Sequence, residues 1–248
     1  LVQTNKPLAA VILAAGKGTR MNSDLPKVLH EVGGKPMIVH VIHTAKAMGS
    51  KKIILVLGYK YEILQKALKN ESVEYALQQK QLGTAHAVLQ CQNLLENFQG
   101  NVLILYGDVP LTKVDTLSHL MEIHEKEGSW CTILTTDLPA PDGYGRIIRN
   151  PDHSLMKIVE EKDATDEERQ VSEINSGIYL FDTQLLFRLL PLVGNNNKQN
   201  EYYLPDVLNL IIQEKGKVAI DKINNYIEIQ GVNSTEQLTK VNKLYENV

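Results

Sequence analysis

Ala9-Ala10-Val11-Ile12-Leu13-Ala14-Ala15-Gly16-Lys17-Gly18-Thr19-Arg20-Met21 is the stretch on which the fold turns. Residues 9–13 are apolar with β character, and they run directly into a turn of small residues. Glycine lacks the Cβ that would hold a partner off, so backbone N–H groups in such a turn can approach phosphate oxygens or the edge of a ring. The same residues also read as a bare strand-to-helix turn. Two better-defined loops do not fit. A dinucleotide fingerprint needs a third small residue where Met21 stands, and a Walker loop needs Gly-Lys followed by Ser or Thr, whereas Gly18 precedes Thr19-Arg20.

Apolar segments of the same character recur at residues 53–57, 102–105, 131–135 and 178–181. Between the first three lie longer stretches with helical spacing. In residues 36–48, for example, Met37, Val41, Ala45 and Met48 share one face. Strand and helix in alternation need crossover connections, so the expected fold class is α/β with a mostly parallel central sheet flanked by helices. Ligands of such sheets bind beyond the carboxyl ends of the strands. After Asp137 the spacing shortens, and β-like runs at residues 146–148 and 155–159 predict an antiparallel elaboration. No break in composition separates the halves, so a single domain, 1–248, with two lobes around a cleft is expected. Thr165 with Glu168, and Ser234 with Gln237, have capping-box spacing and predict helix starts. The second begins a C-terminal helix over 234–248 whose Leu238, Val241, Leu244 and Tyr245 face the domain. Residues 194–200 read as a polar loop.

The chain of 248 residues carries 26 basic and 29 acidic side chains, a net charge of -3 without a Lys/Arg-rich tract, so the electrostatic footprint of a nucleic-acid binder is missing. Its longest apolar run, residues 8–15, is far below the ~20 residues of a membrane span. That run follows Lys6-Pro7 but leads into Gly16-Lys17-Gly18, not a cleavage site, so no export signal is expected. Two isolated cysteines, Cys91 and Cys131, fit a reducing cytoplasm. His40 with His43, and His119 with Glu122, have no companions that complete a zinc set. No nucleophile elbow supports a Ser-His-Asp hydrolase.

Beside the first loop, three features carry chemistry. Arg20 and Lys27, the latter set behind Pro26, bring two cations to one short excursion, where a planar fork and a point charge together can grip a triphosphate. Singly, each is an ordinary solvated cation. Residues 102–105 end in Tyr106-Gly107-Asp108-Val109-Pro110, which places a carboxylate at the carboxyl end of a central strand. Asp108 there serves either as a turn residue or as one of the few protein oxygens that Mg2+ takes beside water and phosphate. Leu77-Gln78-Gln79-Lys80-Gln81-Leu82-Gly83-Thr84-Ala85 puts amides, a glycine and a hydroxyl where they can match the carbonyl and imide pattern of uracil.

These segments, taken in order, resemble the bacterial N-acetylglucosamine-1-phosphate uridyltransferase domain of the sugar-nucleotide nucleotidyltransferases. The resemblance continues through Gly143-Tyr144-Gly145-Arg146-Ile147, Ile158-Val159-Glu160-Glu161-Lys162-Asp163-Ala164-Thr165, Glu173-Ile174-Asn175-Ser176-Gly177, Glu201-Tyr202-Tyr203-Leu204-Pro205-Asp206 and Gly231-Val232-Asn233. It implies a Rossmann-like fold that joins UTP and N-acetyl-α-D-glucosamine 1-phosphate into UDP-N-acetylglucosamine, with release of pyrophosphate, for cell-wall peptidoglycan precursors. It implies Mg2+ held by Asp108 and Asn233, and a triphosphate held by Arg20 and Lys27 as the catalytic pair. Leu13, Ala14, Ala15, Gly16, Gln78, Gly83 and Thr84 would surround the nucleotide with Lys27. Tyr106, Gly145, Glu160, Asn175, Tyr203 and Asn233 would face the sugar phosphate. The lobes become a nucleotide-binding half over about 1–110 and a β-rich sugar-binding half over about 111–233. Alternatives are a relative using glucose 1-phosphate with dTTP or CTP, and a non-catalytic nucleotide-sugar-binding module.

The sequence departs from the familiar pattern in two places. Glu161 follows Glu160 where a histidine is common. No hexapeptide repeat of a left-handed β-helix follows, so acetyltransferase activity is not expected and the oligomeric state stays open. The chain opens on Leu1 and not on methionine, as a trimmed protein would.

Overall fold

The computed structural model describes residues 6–21 and 23–245. Strand β1, Leu8–Ala14, is buried at every position, as a strand covered on both faces must be. A two-stranded hairpin follows, β2 at Glu31–Val32 and β3 at Lys35–Pro36, which leads into helix α1, Met37–Ala47. Next come β4 (Lys52–Leu57), α2 (Tyr61–Ala67), β5 (Glu74–Leu77), α3 (Thr84–Leu89), α4 (Gln92–Leu95), β6 (Asn101–Tyr106) and α5 (Val114–Glu127). The second half holds β7 (Cys131–Asp137), β8 (Arg146–Arg149), β9 (Leu155–Val159), α6 (Asp166–Arg169), β10 (Glu173–Asp182), α7 (Thr183–Leu189), α8 (Asp206–Gln213), β11 (Val218–Ile223) and α9 (Thr235–Tyr245).

The main sheet runs β11-β7-β10-β6-β1-β4-β5, with β8 and β9 attached beside β10. β1 pairs in parallel with β4 and β6, as β4 does with β5 and β11 with β7, while β10 runs antiparallel to both of its neighbours. The fold is the expected α/β class, and the antiparallel elaboration after Asp137 is β8, β9 and β10.

Alternate residues of β1 face opposite cores. Ala9, Val11 and Leu13 pack with Ala85 and Val88 of α3 and with Val207 and Ile211 of α8. Ala10 and Ile12 pack with Ile38, Val41 and Ile42 of α1 and with Leu117 and Leu120 of α5. Four strands escape sequence inspection, the short hairpin pair β2 and β3 and, in the main sheet, β5 and β11. The latter two are edge strands whose hydrophobic run is broken by Glu74 and Lys222 and by Asp221, which is buried against His119 at 3.1 Å.

The Thr165 and Glu168 capping box forms as expected, with both reciprocal hydrogen bonds present. At the second box Ser234 Oγ accepts from the Gln237 amide at 3.2 Å, but Gln237 Oε1 accepts from the Asn233 amide at 2.7 Å, one residue earlier than a capping box requires. α9 packs back on the hairpin: Val241 is buried with Val32, Met37 and Val232, and Asn242 bonds the Glu31 carbonyl and the Gly33 amide, each at 3.0 Å. Residues 246–248 of the expected helix lie outside the described residues. Tyr245 is exposed at its far side while its ring packs edge-on against His40.

Candidate active site

Because β1, β4, β5 and β6 are parallel, their carboxyl ends share one rim, and the segments that follow them meet there. Gly107 donates to the Leu13 carbonyl at 3.0 Å and Gln78 to the Leu57 carbonyl at 2.8 Å, so the exits of β6 and β1, and those of β5 and β4, are stitched together in pairs. Beyond this rim lies a cleft of about 510 Å3. It is lined by every residue singled out from the sequence except Tyr203.

One end of the cleft is cationic. Gly18 has φ +60°, and a Cβ there would stand 2.5 Å from Lys27 Cβ, so glycine allows the first loop to close over the lysine. Lys27 Nζ lies 2.5 Å from Asp108 Oδ2 and 2.9 Å from Asn233 Oδ1. Asp108 stands at the exit of β6, and the Val232 amide bonded to the Asp108 carbonyl at 2.9 Å brings Asn233 beside it. Arg20 lies exposed on the rim. One carboxylate and one amide oxygen thus converge on a single positive charge. That hard, two-oxygen donor set fits a magnesium-type ion, which keeps waters and takes further oxygens from phosphate. Among the described residues no group of three or more His, Cys, Asp or Glu side chains forms a competing metal cluster.

A second wall is built by the turn between β5 and α3. Gln78 is 3 % exposed, and its Nε2 donates to the Gly83 carbonyl at 3.0 Å. Gly83 adopts φ +114°, and a Cβ on it would meet the Tyr202 carbonyl oxygen at 2.4 Å. Tyr202 bonds this turn on both sides, donating to the Leu82 carbonyl at 2.8 Å and accepting from the Ala85 amide at 2.9 Å. Thr84 Oγ1 accepts from the Leu204 amide at 2.9 Å, so its hydroxyl braces the same junction while the residue lines the cleft.

The opposite wall comes from β8, β9 and β10. Register shifts between Asn175 and Tyr179 where β10 pairs with β7, and this irregularity brings Asn175 to the cleft. Its amide donates to the Gly145 carbonyl at 2.8 Å, and a Cβ on Gly145 would lie 3.2 Å from Glu160 Oε1. The three residues form one surface. Burial, then the negative charges of Asp206, Asp163 and Glu201, push the Glu160 carboxyl up to about 7. Burial also raises the Tyr106 phenol, so that side chain stays neutral and able to donate. Behind the wall Arg146, 1 % exposed, lies 2.8 Å from Glu161 Oε2 and donates to the Tyr144 carbonyl. The unusual Glu161 therefore serves as counter-ion to a buried guanidinium.

Tyr203 sits apart. Its hydroxyl lies 2.7 Å from Gln199 Nε2 and 3.3 Å from Asp163 Oδ2, and it borders a neighbouring cavity that also touches Glu160. From the Glu-Tyr-Tyr motif it is Glu201 that reaches the main cleft, because Tyr203 buries its ring before α8. Gln81, Tyr144, Ser176 and Gln237 also line the cleft without having been singled out. The first three stand inside or beside motifs read from the sequence as site segments, whereas Gln237 was read only as a helix-cap residue and helix packing brings it to the cleft.

Comparison with known proteins agrees with this geometry. A family described as nucleotidyl transferase matches residues 9–226. The bifunctional protein GlmU of Halalkalibacterium halodurans is 48 % identical over 236 residues, 95 % of this chain and 51 % of that protein. The GlmU protein of Alkaliphilus metalliredigens is 50 % identical over 239 residues, 96 % of this chain and 52 % of that protein. The chain thus spans about half the length of the curated relatives it matches. Among solved structures, a UDP-glucose pyrophosphorylase complexed with UDP-glucose aligns with a TM-score of 0.76 at 18 % identity, over 97 % of this chain and 99 % of that one. A putative glucose-1-phosphate thymidylyltransferase from Bacillus anthracis aligns with a TM-score of 0.73, also at 18 % identity, over 97 % and 96 % of the two chains. These two share the fold. With the family match running from β1 past β11 and the relatives near half identical, the chain belongs to the nucleotidyl transferase family.

Proposed function

We propose that this protein joins UTP and N-acetyl-α-D-glucosamine 1-phosphate into UDP-N-acetylglucosamine and pyrophosphate, in the cytoplasm, as a step toward cell-wall precursors. The observation that carries the reading is Lys27 Nζ held between Asp108 Oδ2 and Asn233 Oδ1, where a wall of amides meets a wall of sugar-type hydrogen-bonding groups.

A phosphate oxygen of the sugar phosphate attacks the α-phosphorus of UTP in line, forming one P–O bond as the bond to pyrophosphate breaks. That oxygen is already anionic near neutral pH, so no protein base is assigned. The chain's work is positioning and charge neutralisation. Arg20 and Lys27 hold the triphosphate and stabilise charge building on the phosphoryl oxygens. Asp108 and Asn233 hold Mg2+, which when bound supplies further neutralisation of the phosphates. Backbone of the loop at Leu13, Ala14, Ala15 and Gly16 lies against the nucleotide, and Gln78, Gly83 and Thr84 frame the base. Gly145, Glu160 and Asn175, with Tyr106, receive the sugar phosphate. A Glu160 carboxyl near its titration midpoint can both donate to and accept from a sugar hydroxyl. On this reading residues 1–110 form the nucleotide half and 111–233 the sugar half of one domain.

The test is pyrophosphate release with Mg2+, UTP and N-acetylglucosamine 1-phosphate. Turnover that depends on all three is expected. A larger rate with dTTP and glucose 1-phosphate overturns the substrate assignment, and equal rates for wild type and Asp108→Ala overturn the metal role.

A further inference from the structure

The amide of Gln78 is oriented by two partners. Nε2 lies 3.0 Å from the Gly83 carbonyl and 3.0 Å from Nδ1 of His86. A carbonyl only accepts, so the NH2 end faces Gly83, and turning the amide over would set two oxygens against each other. The second N–H of Gln78 then points at an imidazole nitrogen that must be bare, which makes neutral His86 the tautomer protonated on Nε2. Burial lowers the His86 pKa and keeps the ring neutral. The Gln90 amide donates to the His86 carbonyl at 2.8 Å and stands 3.3 Å from His86 Nε2; a neutral imidazole has one bare nitrogen, and the shorter 3.0 Å approach of Gln78 assigns it to Nδ1. His86 is not itself in the cleft lining, whereas Gln78 is. Among the described residues no donor engages Gln78 Oε1.

We infer that His86 is a positioning residue for base choice: its bare Nδ1 and the Gly83 carbonyl together hold the Gln78 amide so that Oε1 is presented to the base as an acceptor. An acceptor there bonds the N3–H of uracil. Cytosine carries a lone pair at N3, so the same oxygen repels it and is left unpaired. Thymine keeps the N3–H, so the device separates UTP from CTP and not from dTTP. This inference rests on the reading of the cleft as a UTP site.

The test compares kcat/KM for UTP and CTP, with Mg2+ and N-acetylglucosamine 1-phosphate, in wild type, His86→Leu and His86→Asn. Asparagine places an oxygen where Nδ1 was, so it retains an acceptor. The UTP:CTP ratio should fall roughly tenfold in His86→Leu and stay within about threefold of wild type in His86→Asn. A purely structural histidine would lower both kcat/KM values together and leave the ratio unchanged, which overturns the inference. Imidazole nitrogen-15 spectra of the wild type provide a reading that needs no variant: a neutral ring protonated on Nε2 supports the arrangement, and one protonated on Nδ1 overturns it. A wild type with no preference for UTP over CTP refutes the underlying site assignment. A preference that survives in His86→Leu refutes the His86 role alone.

Discussion

Val232 donates its amide to the carbonyl of Asp108 at 2.9 Å, and this bond carries a segment from near the end of the chain to the exit of β6. Asn233 is thereby placed beside Asp108 with Lys27 between them, and the Gln237 side chain of α9 holds the Asn233 amide from behind. The junction gathers three parts of the chain that no local pattern connects.

Removing the acid at this junction should be the most damaging single change. Asp108→Asn keeps the shape and removes the charge, and should lower kcat for pyrophosphate release by about 10²–10³, the scale of losing one electrostatic stabiliser. Asn233→Ala should raise the Mg2+ concentration needed for half-maximal rate. A magnesium titration of both variants beside wild type checks this, and an unchanged magnesium requirement in Asn233→Ala would contradict the assignment.

Arg20 separates function from stability. It is exposed and no described residue pairs with it, so Arg20→Ala should leave the urea unfolding midpoint within error of wild type while kcat/KM for UTP falls about 10²-fold or more. Lost stability without lost turnover would remove Arg20 from the catalytic pair.

Gly83→Ala tests the turn that carries the amide wall. The new methyl would enter the backbone of Tyr202, at a φ that L residues rarely adopt. A loss of about 1–3 kcal/mol in urea unfolding is expected, together with a raised KM for UTP. A stable variant with normal KM would show that the turn is not held as described.

Glu160 predicts a pH signature. Its carboxyl is raised to about 7 in the folded protein from an ordinary 4.5. Between those pH values the folded state holds a proton that the unfolded chain has released, so this group's contribution is full below pH 4.5 and is lost as pH rises through 7. Replacing it by Gln should therefore stabilise the protein by about 1–3 kcal/mol at pH 8, and by much less at pH 5, relative to wild type at the same pH. The same variant should bind the sugar phosphate less well. Equal effects on unfolding at both pH values would contradict a buried, proton-holding carboxyl.

Much of this was legible in the amino-acid order. Residues 155–159 form a strand over that very span, residues 36–48 contain α1, and Thr165 caps α6 as its spacing predicts. These features are written in short-range periodicity and local hydrogen bonding. Edge strands β5 and β11 were not legible, because Glu74 and Lys222, and an Asp221 whose partner His119 comes from a distant helix, interrupt the strand pattern. Tyr203 shows the converse: its place in the motif is legible, but only packing sets its hydroxyl between Asp163 and Gln199, at a cavity beside the main cleft.

Sequence alone determined the α/β class, the small-residue loop after β1, the cations at positions 20 and 27, and the carboxylate after β6, since each depends on neighbours within a few residues. Tertiary structure alone decided that Asn233 and Lys27 meet at Asp108, that Tyr202 clamps the Gly83 turn, that Glu161 neutralises the buried Arg146, and that His86 sets the face of Gln78. Each of these contacts joins side chains and backbone through space, and a hydrogen bond's partner is set by where packed elements bring donors and acceptors together, not by separation along the chain.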